Sequence, residues 1–220
     1  MALDSSGNPH ISYYDDTSTN RDLKYAVWNG SSWDIQTADS GGDVGHYNSL
    51  ALDSSGNPHI SYCNYSYYDS AFLKYAYWNG SNWDVETVDW ASAVGEYTSL
   101  ALDSADRPHI SYYDYTNGDL KYAAWNGSSW DIQIVDSTST GSRYTSLALD
   151  SAGYPHISYY DYTNYALKYA AWNGASWDIE TVDADYAGRY HTSLALDSSG
   201  NPHISYYDST YDSLKYAWYE

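Results

Sequence analysis

The chain has 220 residues and a formal net charge of −20, because it contains 29 acidic side chains and only nine Lys and Arg side chains. Nucleic acids and anionic membranes are bound through Lys and Arg, so this balance argues against both as partners. No apolar run approaches the roughly 18 residues of a membrane-spanning helix, and we recognise no signal peptide. The single cysteine, Cys63, excludes an internal disulfide.

One segment organises the chain: SLALDSSGNPHISY, at residues 49–62, returns five times with small changes. The proline inside it recurs at intervals of 47 to 50 residues. Self-similarity at such a period is typical of a repeat architecture. The five prolines are Pro9, Pro58, Pro108, Pro155 and Pro202. We therefore treat residues 1–220 as a single domain of five repeats, with approximate bounds 1–47, 48–97, 98–144, 145–191 and 192–220.

The second repeat contains four short strand candidates. Strand A, residues 48–53, alternates small and apolar residues and ends at a Ser-Ser-Gly-Asn turn. Strand B, residues 59–63, follows a proline, which is tolerated at the start of a strand. Strand C, residues 73–78, ends at an Asn-Gly hairpin signal, and strand D, residues 83–88, is rich in β-branched and aromatic residues. No segment shows a sustained helical period, so we expect almost no helix.

Four short strands per repeat are typical of a β-propeller blade. Five repeats predict an all-β fold, a five-bladed β-propeller of four-stranded antiparallel blades; a solenoid is the alternative. The fifth repeat ends after strand C, so we expect a three-stranded last blade whose open edge strand runs from Leu214 to Tyr219. Open edges invite pairing with another chain, which predicts an oligomer made through this strand.

The loops divide the predicted propeller into two faces. The A-to-B and C-to-D turns keep one length in every repeat, whereas the B-to-C loop changes in length and the D-to-A connection changes in composition. In an up-and-down blade the first two lie on one face, which we name the uniform face, and the other two lie on the opposite, varied face. Binding residues concentrate on loops carried by a rigid scaffold, so we place the working surface on the varied face.

Three repeated polar residues are interpreted as structural. The His that opens strand B is expected to hydrogen-bond with turn groups or with the Ser that follows it, and the Asp that ends strand A is expected to accept turn N–H groups. The five lysines of the LKY triplets are the only lysines in the chain. They are expected to pair with the carboxylates of Asp15, Asp114, Asp161 and Asp208.

The segments LDSSGNPHISYYD and LKYAxWNGSSWD carry a resemblance that covers the whole chain. They resemble the repeats of secreted bacterial and archaeal β-propeller proteins of the BNR, or sialidase Asp-box, and NHL types. The Asp box is matched imperfectly, because Gly56 follows Asp53 by three residues rather than two and no Trp follows. In architecture, five such blades are also similar to tachylectin-type lectins, which bind N-acetylated sugars at sites between blades. The resemblance implies an extracellular or cell-surface protein, and we expect the chain to be a piece of a longer one.

Our first hypothesis for function is a non-catalytic, lectin-like propeller that binds carbohydrate at several similar sites. Tyr and Trp rings stack on sugar faces and Asp carboxylates accept from sugar hydroxyls, and the chain has 29 Tyr and ten Trp. Weak repeated sites gain affinity by avidity. The candidate ligand-binding residues are Tyr47, Tyr97, Tyr144 and Tyr190 before strand A, and Asp15, Asp114, Asp161 and Asp208 after strand B.

Two other functional classes stay open. A structural, protein-interaction or self-assembling propeller would use its edge or its varied face without a small ligand, so glycans and proteins are both candidate partners. A fragment of a polysaccharide-active enzyme is the third class, but no nucleophile elbow, phosphate loop or compact Arg cluster supports catalysis. We expect no cofactor and no metal, and the acidic segment 39–43 lacks the spacing of an EF-hand.

Overall fold

The computed structural model describes residues 1–17, 20–66, 70–139, 141–184 and 187–219, without the side chains of residues 66 and 187–189. Over these ranges the chain consists of strands joined by turns, and no helix is present. It follows that the described part holds no helix long and apolar enough to cross a membrane.

Nineteen described strands form five antiparallel sheets in chain order, and within each sheet the strands follow one another from inner to outer. The first sheet contains β1 (Ala2–Leu3), β2 (Pro9–Thr17), β3 (Asn20–Trp28) and β4 (Trp33–Asp39). The second contains β5 (Asp43–Leu52), β6 (Pro58–Ser66), β7 (Ser70–Trp78) and β8 (Trp83–Asp89). The third contains β9 (Val94–Leu102), β10 (Pro108–Asp114), β11 (Asp119–Trp125) and β12 (Trp130–Asp136). The fourth contains β13 (Ser142–Leu149), β14 (Pro155–Asp161), β15 (Ala166–Trp172) and β16 (Trp177–Asp183). The fifth contains β17 (Ala187–Leu196), β18 (Pro202–Asp208) and β19 (Ser213–Trp218).

The turn between the first two strands of each sheet is built around an aspartate. In the second sheet, Asp53 Oδ1 accepts from the backbone N–H groups of Ser55 (2.9 Å) and Asn57 (2.7 Å). The Asn57 side chain donates to the other carboxylate oxygen of Asp53 at 2.8 Å, and Gly56 supplies the left-handed conformation with φ 84°. The structural interpretation of this aspartate is confirmed.

The histidine that opens the second strand is also structural. His109 Nδ1 is hydrogen-bonded to the phenol oxygen of Tyr122 on the adjacent strand. Its Nε2 lies 3.7 Å from Asp103. The corresponding His–Tyr pairs are His10–Tyr25, His59–Tyr75, His156–Tyr169 and His203–Tyr216. These histidines therefore tie strands together within a sheet, so their structural role is as predicted, but the hydrogen-bond partner is a tyrosine of the next strand and not the following Ser.

The sheets pack face to face in chain order. Each inner strand contacts the next, β5 with β9, β9 with β13 and β13 with β17, whereas outer strands of neighbouring sheets meet little. The sheets therefore fan outward from their inner strands, as blades of a propeller do. Between the second and third sheets the buried cluster includes Leu73, Val94, Ile110 and Tyr112. Equivalent clusters fill the other three junctions between consecutive sheets.

A polar clamp crosses each of these junctions. Asp89 ends the outer strand of the second sheet, and its Oδ2 accepts from the Tyr112 phenol (2.8 Å) and from Lys121 Nζ (2.7 Å) of the third sheet. Lys121 also lies 3.6 Å from Asp114 of its own sheet, so the predicted Lys–Asp pairing is present. The corresponding clamps are Asp39 with Tyr62 and Lys74, Asp136 with Tyr159 and Lys168, and Asp183 with Tyr206 and Lys215.

The prediction of a five-bladed propeller is wrong, because the five sheets do not close into a ring. Hydrophobic clusters join each sheet to the next, but among the described residues none joins the fifth sheet to the first. Leu214 in the fifth sheet is 81% exposed, whereas its counterpart Leu167 in the fourth is 0% exposed. Tyr216 and Trp218 beside it are more than half exposed. The sheets therefore form an open arc, and the fifth sheet presents an uncovered face and three strands.

Candidate functional site

The four candidate tyrosines share an unusual backbone conformation near the start of each inner strand. Their φ angles are 50° at Tyr47, 54° at Tyr97, 55° at Tyr144 and 96° at Tyr190. Each coincides with an irregularity in the pairing of the inner strand with its neighbour. Such bulges re-aim side chains, and a left-handed conformation costs about 1–2 kcal/mol at a residue other than glycine.

The bulges bring these tyrosines together on the inside of the arc. The ring centroids of Tyr47 and Tyr97 are 4.5 Å apart, those of Tyr97 and Tyr144 are 4.5 Å apart, and Tyr144 and Tyr190 are separated by 6.3 Å. We call this set the tyrosine row. Its first three members, Tyr47, Tyr97 and Tyr144, line a shallow cavity of about 280 Å³ together with Asn48, Thr98, Thr145, His191 and Thr192.

The row is held from the adjacent sheets. Thr98 Oγ1 donates to the carbonyl of Tyr47 at 2.9 Å, and Thr145 Oγ1 donates to the carbonyl of Tyr97 at 2.8 Å. Burial raises the pKa of Tyr97 above its ordinary value, so its phenol stays protonated. These contacts give the tyrosines a packing role between inner strands, and their use in binding stays a prediction.

The four candidate aspartates have structural partners that differ from those of the tyrosines. Asp161 is 0% exposed, and its carboxylate accepts from Ser139 Oγ (2.7 Å) and from the backbone and side-chain nitrogens of Asn164. Lys168 Nζ lies 3.1 Å from the same carboxylate. Asp114 and Asp208 are also buried and accept from backbone N–H groups of the turns that follow them. The more exposed Asp15 accepts from the backbone N–H of Thr17 at the end of β2. These carboxylates therefore accept hydrogen bonds from nearby backbone N–H groups and form ion pairs with lysines, and none of them lines the cavity of the tyrosine row.

A larger cleft, which the sequence did not indicate, lies between the second and third sheets. Its volume is about 600 Å³, within the range typical of small-ligand sites. The second sheet contributes Tyr75 and Tyr77 from β7 and Glu86 from β8. The third sheet contributes Trp125 at the end of β11 and Arg107 in the turn before β10. We call this region the 2/3 cleft.

The turn of the third sheet is fixed in place at the cleft. Asp106 has φ 59° and accepts from the backbone N–H (2.9 Å) and the hydroxyl (2.6 Å) of Ser54 in the second sheet. Arg107 donates through Nε to Asp103 at 2.7 Å, and its Nη2 lies 2.6 Å from the same carboxylate. Burial opposes ionisation of Asp103, but the hydrogen bonds from Arg107 and the turn amides lower its pKa to about 2. The guanidinium is thereby positioned while its side chain remains 49% exposed.

Aromatic and acidic groups complete the 2/3 cleft. The rings of Tyr75 and Tyr77 are stacked with centroids 5.7 Å apart, and His59 stacks on Tyr77 at 5.8 Å. Glu86 Oε1 accepts from Trp130 Nε1 at 3.2 Å. A carboxylate, a guanidinium and aromatic faces around one cleft are suited to a polyhydroxylated ligand, because the charged groups bond hydroxyls and the rings cover apolar faces.

One sequence signal could have found this cleft. Arg107 stands immediately before the repeat proline, where the other repeats have Asn or Tyr, so it is a departure from the repeat on the uniform face. The counterparts of Arg107 are Asn8, Asn57, Tyr154 and Asn201. Separately, no group of three or more His, Cys, Asp or Glu side chains among the described residues is arranged to hold a metal ion.

Comparisons with known proteins support the fold. No protein-family model matches the chain, so the resemblance to BNR and NHL repeats gains no support. No curated protein matches it either. Similar solved structures include the fungal lectin of Aleuria aurantia, a six-bladed β-propeller with a fucose recognition mode, at 17% identity and TM-score 0.62, covering 98% of this chain and 76% of that one.

Two further solved structures are similar to the chain over nearly its whole length at low sequence identity. The protein AofleA of Arthrobotrys oligospora matches at 12% identity and TM-score 0.63, covering 100% of this chain and 70% of that one. An ulvan lyase of polysaccharide lyase family PL25 matches at 15% identity and TM-score 0.66, covering 99% of this chain and 65% of that one. At these identities the likeness shows the fold alone. The open arc of five sheets is therefore similar to a six-bladed β-propeller, and this architecture replaces the predicted five-bladed ring.

Proposed function

We propose that this chain is a non-catalytic, carbohydrate-binding propeller, extracellular or at the cell surface, with sugar sites in the clefts between neighbouring sheets. The observation that carries the proposal is the 2/3 cleft, where Tyr77 and Trp125 lie beside Glu86 and Arg107. Arg107 is held by Asp103, so a ligand meets a preorganised cation. The lectin of Aleuria aurantia, which shares the fold, recognises fucose, so fucosylated glycans are the first ligands to test.

The same framework recurs along the arc, which supports repeated sites. Between the fourth and fifth sheets a cleft of about 380 Å³ is lined by Tyr169, Asp178, Glu180 and Pro202, the counterparts of Tyr75, Asp84, Glu86 and Pro108. Each site is shallow and open, so single-site affinity is modest and multivalent glycans gain by avidity. The tyrosine row on the inside of the arc is the alternative location within the same proposal.

A glycan array with the intact chain tests the function, and titration calorimetry with a fucoside tests the site. Replacing Arg107 with Asn, the residue of three other repeats, removes the cation while keeping the turn. Arg107→Asn is expected to weaken binding about tenfold, the loss of one charged hydrogen bond. Arg21→Asn is the matched control. Arg21 of the first sheet donates to Asp43 of the second sheet, and neither residue lines the 2/3 cleft.

Three outcomes decide the proposal. Silence across the array removes the lectin function. Binding that Arg107→Asn leaves unchanged but Tyr97→Phe weakens moves the site to the tyrosine row. If the same preparations release oligosaccharides from a polysaccharide, the non-catalytic function is replaced with that of a polysaccharide-active enzyme. The ulvan lyase that shares the fold acts on a polysaccharide.

A further inference from the structure

The tyrosine row connects neighbouring sheets through their inner strands. Tyr47 lies on β5, Tyr97 on β9 and Tyr144 on β13, so each neighbouring pair spans the junction between two sheets. The two members of a pair are separated by 50 residues in the first case and by 47 in the second. A covalent bond within the row would therefore tie together distant parts of the chain, which its single cysteine cannot do through an internal disulfide.

The rings of the row are in close contact across both junctions. The planes of Tyr47 and Tyr97 meet at 49° and those of Tyr97 and Tyr144 at 52°, with centroids 4.5 Å apart in each pair. By comparison, the centroids of Tyr113 and Tyr115 on the varied face are 6.2 Å apart. The phenol of Tyr97 interacts with the phenols of both its neighbours in the row. The ring carbons beside these phenol oxygens therefore lie near one another.

The backbone holds the three rings in this arrangement. The left-handed φ angles of Tyr47, Tyr97 and Tyr144 lie between 50° and 55°. Residues stay in such sparsely populated conformations only where their surroundings require it, and they cluster at functional sites. The hydroxyls of Thr98 and Thr145 bond the carbonyls of Tyr47 and Tyr97 across the junctions. The ring pairs are therefore positioned before any reaction takes place.

The row is open to small molecules in solvent. It borders the shallow cavity of about 280 Å³ on the inside of the arc, and the Tyr47 side chain is 39% exposed. Because burial holds the pKa of Tyr97 above its ordinary value, its phenol keeps its proton until it is oxidised. A one-electron oxidant can therefore reach protonated phenols that already lie in pairs.

We propose that the tyrosine row is a site of oxidative cross-linking, at which Tyr97 forms a dityrosine bond with Tyr47 or with Tyr144. The oxidant is hydrogen peroxide used by a haem peroxidase, which removes one electron and one proton from each of two phenols. The two phenoxyl radicals form one carbon–carbon bond between the ring carbons beside their oxygens, and the hydrogens displaced from these carbons return to the phenol oxygens. In total, two hydrogen atoms leave the tyrosine pair and one peroxide is reduced to two water molecules.

The cross-link fixes two neighbouring sheets relative to each other. It closes a loop of about 50 residues, and closing a loop of that length restricts the unfolded chain and so stabilises the folded one. In this role it substitutes for the disulfide that the chain cannot form. The reaction does not depend on the proposed sugar site in the 2/3 cleft.

The test treats the intact chain, at high dilution, with a haem peroxidase and limiting hydrogen peroxide. Dityrosine fluorescence measures the yield, and mass spectrometry of the monomer and of its peptides locates the bond. We expect monomers that are lighter by two hydrogen atoms and peptides that join Tyr97 to Tyr47 or to Tyr144. The melting temperature is expected to rise by about 5 °C or more. In urea the same treatment is expected to spread cross-links over many tyrosines, because the ring pairs are lost.

Two variants separate ring pairing from exposure. Tyr97→Phe keeps a ring at the centre of the row but removes the shared phenol, and it is expected to lower the yield of dityrosine within the chain about threefold or more. Tyr115→Phe is the matched control, because Tyr115 is 59% exposed but lies farther from its neighbouring tyrosine. This control is expected to keep the yield of the parent chain.

Four results would overturn the proposal. They are an unchanged yield in Tyr97→Phe, cross-links in the folded parent chain that do not include Tyr97, dityrosine formed mainly between chains, and oxidation confined to Cys63, which adds oxygen instead of removing hydrogen. Peptide mapping of the parent chain decides the second of these without any variant. A cross-link within the row that leaves the melting temperature unchanged would overturn its stabilising role.

Discussion

The junction between the third and fourth sheets and the uncovered face of the fifth carry nearly the same sequence in opposite environments. Leu120 and Leu214 both open an LKYA segment, yet Leu120 is 0% exposed and Leu214 is 81% exposed. Tyr122 and Tyr216, two residues later, are 4% and 54% exposed. The apolar pattern of strand C is therefore satisfied by the following sheet, and a repeat buries its own core only when another repeat lies behind it.

Exchanging these leucines for alanine tests that contrast most strongly. Leu120 belongs to the cluster that includes Tyr159 and Ile157, so Leu120→Ala is expected to lower the free energy of unfolding by about 2–5 kcal/mol. Leu214→Ala removes a side chain that the fold leaves in solvent and is expected to change it by about 0.5 kcal/mol or less. Urea denaturation of both variants measures the difference.

Equal losses in the two variants would contradict the open arc. They would mean that Leu214 is covered in solution, either by the first sheet of its own chain or by a second copy. Light scattering on the same samples separates those two cases, because only the second raises the mass.

Much of the fold could be predicted from the repeat because the relevant interactions are local. The turn aspartates and the Asn-Gly signals determine hairpins locally, so strands B, C and D of the second repeat are predicted to within three residues of their observed ends. Strand A is predicted less well, because β5 begins at Asp43, five residues before the predicted start. The pairing of Lys121 with Asp114 follows from adjacent strands. The stronger contact of Lys121 with Asp89, on the preceding sheet, was not predicted because it depends on how sheets stack.

The closure of the ring and the location of the cleft depend on that stacking too. A five-bladed ring and a six-bladed one differ by a modest change in the angle between neighbouring sheets, and the repeat sequence does not encode this angle locally. The left-handed backbone of Tyr97 and the position of Arg107 beside Glu86 also arise between sheets. Comparing the loops of the repeats therefore predicted the tyrosines of the tyrosine row as candidate ligand-binding residues, but it did not indicate the residues of the 2/3 cleft.

The inter-sheet clamp gives a second, smaller contrast. Asp89→Asn removes the charged acceptor of the Tyr112 phenol and the shorter of the two Lys121 ion pairs at a covered junction, so a loss of about 1.5–3 kcal/mol in unfolding free energy is expected. Asp183→Asn makes the same change beside the uncovered face, where Lys215 is 34% exposed against 12% for Lys121. Water compensates more there, so a smaller loss is expected in the same denaturation experiment.

A larger loss at Asp183 than at Asp89 would contradict this ranking. It would show that the last clamp holds the fifth sheet onto the arc more than the covered clamps hold theirs. Hydrogen exchange of β18 and β19 in the Asp183→Asn variant would then show local opening of the fifth sheet.

The smallest expected effect is a dependence of stability on pH that comes from the buried histidines at the junctions between sheets. Burial lowers the pKa values of His59, His109 and His156 below the ordinary 6.5. Below pH 6.5 the unfolded chain therefore binds protons that the folded chain does not, and stability falls as the pH drops from 6.5 towards the folded pKa values. Each histidine contributes at most about 1.4 kcal/mol per pH unit.

Substituting one of these histidines tests the sign and the source of this dependence. His109→Gln removes one titrating group, so the loss of unfolding free energy between about pH 7.5 and about pH 5.5 is expected to be smaller than in the parent chain. His203→Gln, at the uncovered face, controls for losing the hydrogen bond to a tyrosine, here Tyr216. An unchanged loss in His109→Gln would contradict a contribution of His109 to the pH dependence.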